Sequence, residues 1–137
     1  MKKAFFALPL LLFLLSCSTD DSTINGEYVF VPIASVELPE RFINGNSYDI
    51  EFTYTRPSSC HTFAAVQQEL DGEMVKIGVV NLYREAKSCE NEELSVEGSF
   101  RFVAGNQEFY IFKFWQGFDE NGESTYLTIE VPVTNSA

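Results

Sequence analysis

From residue 28 onward, apolar and polar side chains alternate with a period of two. Tyr48, Ile50, Phe52 and Tyr54 are interleaved with Asp49, Glu51, Thr53 and Thr55. Successive side chains of an extended chain point to opposite faces, so this is a strand with one buried and one wet side. The same alternation sets Leu94, Val96, Gly98, Phe100 and Phe102 against Ser95, Glu97, Ser99 and Arg101, and Leu127, Ile129, Val131 and Val133 against Tyr126, Thr128, Glu130 and Pro132. Three less regular strands are read at 28–38, 62–70 and 75–83. In the first of them Pro32 marks an edge or a bulge, because proline has no N–H to give to a ladder. Residues 109–115 are apolar on both faces apart from Lys113, which places that strand in the middle of a sheet.

Turn residues separate these segments at Asn44-Gly45-Asn46, Asp71-Gly72, Ala104-Gly105-Asn106 and Asn121-Gly122. The two Asx-Gly pairs predict tight hairpins with positive φ at both central residues. No segment carries a helical period. Seven short strands at this spacing predict an all-β fold for residues 28–137, an antiparallel two-sheet sandwich, with an eight-stranded lipocalin-like barrel as the alternative. The strand order over 28–133 resembles an immunoglobulin-like domain. It departs from that pattern in one respect: Trp115 follows both Cys60 and Cys89 instead of lying between them.

The chain begins differently. Lys2 and Lys3 precede an apolar run of 12 residues from Ala4 to Leu15, followed by Ser16 and Cys17. A bilayer span needs about 20 apolar residues, and Pro9 interrupts this shorter run, so the layout is that of an export signal. Leu14-Leu15-Ser16-Cys17 resembles the lipobox of bacterial lipoproteins. That resemblance implies a signal peptide at 1–16 and a lipid on Cys17 as the first mature residue, followed by a polar tether to residue 27. Ser18-Thr19-Asp20-Asp21 resembles the acidic export signal of Bacteroidota surface lipoproteins. Through Asp20 and Asp21 it implies display on the outer face of the outer membrane, the periplasmic face being the alternative.

Removal of 1–16 leaves 121 residues, one domain's worth. They carry 7 basic against 20 acidic residues, so the formal net charge moves from -11 to -13. With no basic stripe, nucleic acid is excluded as a partner. Lipidation of Cys17 leaves Cys60 and Cys89, an even pair in an oxidising compartment, and predicts a disulfide between them. A metal site from Cys60, His61 and Cys89 lacks the fourth ligand that zinc takes. His61 is the only histidine, and its neighbour Cys60 points to the opposite face of an extended chain, a poor geometry for a base and its nucleophile. Asp119, Asn121 and Glu123 alternate oxygen ligands like the start of a calcium loop but lack the distal glutamate. The acidic residues of 85–93 read as a solvated loop.

Trp115 and Phe118 close a strand just before a hairpin. Their first reading is core, and their second a contact patch, since such aromatics dominate interaction hot spots when exposed. The expectation is therefore a lipid-anchored envelope protein that works by binding, without catalysis, metal or cofactor. Its partner is another envelope protein or, alternatively, a glycan; a small hydrolase is the third reading. A row of exposed aromatics would mark the glycan, one compact apolar patch the protein, and a cleft of converging carboxylates the hydrolase.

Overall fold

The computed structural model describes residues 26–135, which contain nine strands and no helix. The strands are β1 (Glu27–Val31), β2 (Ile33–Glu37), β3 (Phe42–Ile43), β4 (Ser47–Arg56), β5 (His61–Asp71), β6 (Met74–Tyr83), β7 (Leu94–Val103), β8 (Phe109–Phe118) and β9 (Ser124–Thr134). Two sheets pack face to face as a sandwich. The smaller has the order β2-β4-β7, all antiparallel.

The larger, six-stranded sheet is forked. One edge of β6 pairs along its length with β5, while the other is shared: Met74 to Ile77 pair in parallel with β8, and Val79 to Tyr83 pair antiparallel with β1. Beyond β8 come β9, antiparallel, and the two-residue β3, parallel to β9. This sheet curls, and the Gln68 side-chain amide of its edge strand reaches the carbonyl of Arg101 in the opposite sheet at 3.3 Å.

The alternation read from the sequence orders the core. Ile50, Phe52, Tyr54, Phe100, Phe102 and Val131 are buried, and the interleaved Asp49, Glu51, Arg101 and Glu130 are exposed. From the forked sheet Val75, Ile77, Val79, Phe112 and Phe114 face the same interior. Phe42 lies at its aromatic centre, with ring contacts to Tyr48, Phe102, Tyr110 and Phe112. At this end Tyr48 accepts the amide of Ile43 at 2.7 Å and Tyr110 that of Gly105 at 2.8 Å, so one half-buried and one buried tyrosine also hold the turns.

Three expectations need correction. The single strand at 28–38 is two, because Pro32 interrupts it and the chain passes from one sheet to the other there. With β3 also missed, seven strands become nine. β1 begins at Glu27, a residue assigned to the tether, whose Cα pairs with that of Tyr83. No non-glycine residue among those described has positive φ. The Asp71-Gly72 hairpin therefore places Gly72 first in a two-residue loop, and Asn121-Gly122 belongs to a three-residue loop that ends on a positive-φ glycine. Cys17, Asp20, Asp21 and the rest of 1–25 lie outside the described residues.

Cys60 and Cys89 form a disulfide, their Cα atoms 5.5 Å apart, at the end of the sandwich where β4 and β6 finish. It ties the loop after β4 to the acidic segment before β7, reinforced by hydrogen bonds from Ser59 N to Glu90 O at 3.0 Å and from Glu90 N to Ser59 Oγ at 2.8 Å. Closing a loop of 29 residues restricts the unfolded chain by about 3.5 kcal/mol. The double change Cys60→Ser and Cys89→Ser is expected to lower unfolding stability by about that amount in urea titrations, and reductant should bring the unaltered protein to the same midpoint.

Candidate functional site

The fork in the large sheet creates a groove on its outer face. Where β8 leaves β6 and β1 takes its place, the β6 residue at the junction is Gly78. A Cβ there would lie 2.8 Å from Cε1 of Phe30, so the Phe30 ring covers the bare backbone. Phe30 is 51% exposed and stands 6.0 Å from Trp115, centroid to centroid. Trp115 in turn meets Phe118 edge-on at 5.2 Å. Tyr126 lies opposite Trp115 in register, and Tyr28 is two residues from Phe30 on β1, which puts both on this face. The aromatics therefore form a bent row across the fork. The groove is also lined by Gln67 and Glu69 of β5 and Lys76 of β6 on one flank and by Ser124 of β9 beside Phe118 on the other, and its volume is about 570 Å³.

The placement of Phe118 overturns the core reading. In a regular strand, residues 115 and 118 fall on opposite faces, and Phe118 would follow the buried Phe112 and Phe114 inward. A bulge at Gln116 inserts one residue between Trp115 and Gly117, which reverses the parity and turns Phe118 outward to 67% exposure. Gly117 permits this with φ +109°. Pro32 sits against it, since a Cβ on Gly117 would meet Pro32 Cγ at 3.6 Å. The bulged Gln116 donates its amide to the carbonyl of Ile33 at 3.2 Å, and the hydroxyl of Thr125 donates to that of Gly117 at 3.1 Å. The bulge is thus held on both sides.

The residues singled out for other chemistry lie elsewhere. Cys60 and Cys89 are bonded to each other, so neither offers a thiolate to a metal or a substrate. His61 Nδ1 is 2.7 Å from the hydroxyl of Ser58, a contact the sequence reading missed. Burial, and to a lesser degree the Arg56 charge, pull the pKa of His61 below its ordinary value. The hydroxyl and the ring share one hydrogen bond, and Ser58 Oγ also accepts the amide of Cys60 at 3.2 Å. This serine is buried, and the pair buttresses the disulfide loop. Asp119 Oδ1 accepts the amides of Asn121 at 2.8 Å and Glu123 at 2.9 Å, a turn-closing role for the first of the calcium-like oxygens. Among the described residues no three His, Cys, Asp or Glu side chains cluster to hold a metal ion.

Two outcomes follow from this geometry. An L side chain at the Gly117 conformation is strained, so Gly117→Ala should cost about 2 kcal/mol and change the emission of Trp115, the chain's only tryptophan, as Phe118 is displaced. For His61 the folded pKa is depressed. Its contribution to stability is complete above the unfolded value and is lost as pH falls through that value toward the folded one. Unfolding stability should fall as pH is lowered through the ordinary histidine value of about 6.5, and His61→Gln should show less of that fall in urea titrations. Compared with protein-family models, with curated proteins and with solved structures, the chain matches none.

Proposed function

We propose that this chain is a lipid-anchored lipoprotein of a Gram-negative envelope, attached through Cys17 and displayed on the outer surface, that binds a saccharide in the groove at the fork and catalyses nothing. One observation carries the reading: the rings of Phe30, Trp115, Phe118 and Tyr126 line one groove together with hydrogen-bonding side chains. Pyranose rings are amphipathic in the same way, with C–H faces that pack on aromatic rings and hydroxyl edges that need partners such as Gln67, Glu69, Lys76 and Ser124. The groove volume falls within the span of small-ligand sites. Aromatic side chains held outward in such numbers otherwise expose apolar surface to no purpose.

A second reading, a protein-interaction module, has its own support. β5 is 11 residues long, pairs on one edge only and is exposed along most of its length, so its free edge can accept an extended segment of a partner. Affinity electrophoresis of the detergent-extracted protein against a panel of soluble polysaccharides separates the two. The saccharide reading expects retardation that Trp115→Ala and Phe118→Ala each abolish, with a cooperative melt retained. If no polysaccharide retards the protein, and crosslinking in native membranes instead captures one partner through β5, the saccharide reading fails. For the anchor, Cys17→Ser should leave the membrane fraction or accumulate as uncut precursor.

A further inference from the structure

Lys76 of β6 and Lys113 of β8 lie directly opposite each other in the parallel pairing at the fork. Neighbouring strands are about 4.8 Å apart, and like charges facing each other at that spacing destabilise a sheet. Both belong to the seven basic residues that follow Cys17, in a chain whose net charge is -11. Among the described residues neither has a carboxylate within ion-pair distance. Glu69 stands opposite Lys76 in register and Glu130 lies diagonal to Lys113, yet among the described residues the one ion pair is that of Arg101 with Asp49.

One of the two lysines lines the groove and the other stands at its margin, beside the lining residue Tyr126. The first is Lys76, and Lys113 Nζ stands 5.8 Å from the centroid of Tyr126, away from Glu130. The groove lining therefore carries Lys76 and the carboxylate of Glu69, and Lys113 adds a second cation at its margin beside the aromatic row. Charges farther than a Debye length, about 8 Å at physiological ionic strength, are screened, so a ligand in the groove meets this local surplus more than the acidity of the whole molecule.

Resting on the saccharide reading, we infer that the ligand is an acidic saccharide whose ring packs on the aromatic row and whose anionic substituent is held by Lys76 and Lys113. The shared chemistry is a pyranose bearing either a carboxylate or a sulfate ester. Such a ligand also supplies the counter-charge that the opposed lysines lack.

The test is affinity electrophoresis and calorimetry of the detergent-extracted full-length lipoprotein with four probes: oligogalacturonate, its methyl ester, dextran sulfate and dextran. Binding of oligogalacturonate that weakens about tenfold on methyl esterification, or binding of dextran sulfate but not dextran, supports the inference and identifies the carboxylate or the sulfate as the anion. Lys76→Met and Lys113→Met should each weaken the acidic probe by a similar factor while leaving the thermal midpoint unchanged or higher, since each also removes a like-charge contact. Equal binding of acidic and neutral probes, or of the acidic probe by the lysine variants, overturns the acidic ligand and leaves the saccharide reading standing. Binding that survives Trp115→Ala and Phe118→Ala is ion exchange at the surface and overturns the inference. No binding of any probe overturns both.

Discussion

The arrangement depends on the passage of one extended run from sheet to sheet at Pro32. Val31 and Ile33, on either side of the proline, are both buried in the shared interior, yet the first belongs to β1 of the forked sheet and the second to β2 of the smaller one. Proline lacks the donor that would continue a ladder, so the run breaks there without leaving an N–H unpaired. Its carbonyl is taken by the amide of Thr55 at 3.1 Å, which holds the crossing against β4. The smaller sheet and the forked sheet are thus covalently joined at mid-length, and β1 occupies the part of the β6 edge that β8 leaves.

The same crossing shapes the outer face. β8 diverges past Pro32, and the packing of Gly117 on that ring together with the bond from Gln116 to Ile33 fixes where its bulge falls. A one-residue change of register decides whether an aromatic side chain enters the core or faces water. Phe118 faces water for this reason, and so the groove is a consequence of how the two sheets are joined, with no loop needed to build it. The buried interior does not depend on Phe118: Phe112 and Phe114 stack at 5.8 Å, and Phe100 and Phe102 meet them from the opposite sheet.

Most of the fold was legible in the sequence because three strands alternate cleanly and the glycine turns punctuate them. The pairing of Cys60 with Cys89 followed from an even count. What escaped was the crossing at Pro32 and the outer face it shapes, which depend on non-local contacts that leave no mark in the pattern. Residues 28–31 are apolar on both faces, so period-two reading could not tell that Tyr28 and Phe30 point to water. Gly78 looked like any strand glycine until Phe30 lay on it, and Lys76 and Lys113 become neighbours only through a parallel pairing 37 residues apart in sequence. Of the groove, the sequence offered Trp115 and Phe118 and ranked them as core, because the bulge that separates their fates is invisible to a count of residues. Asn81 is a further case: it occupies a fully buried, inward position on β6 that an apolar reading of 75–83 did not single out.

Because β1 is the first described strand and carries Phe30, mechanical load entering from the N-terminal side reaches the groove before it reaches most of the core. The hydrogen bonds that join Glu27 to Val31 with β6 run across the strands, so a pull on Glu27 along β1 loads that ladder in shear. The first element to yield would be the strand that forms one wall of the groove, with Pro32 isolating β2 and the smaller sheet from the strain. Detachment of β1 would take the Phe30 ring off Gly78 and out of the aromatic row, whereas the ring contacts of Phe42 with Phe102, Tyr110 and Phe112 involve no residue of that strand.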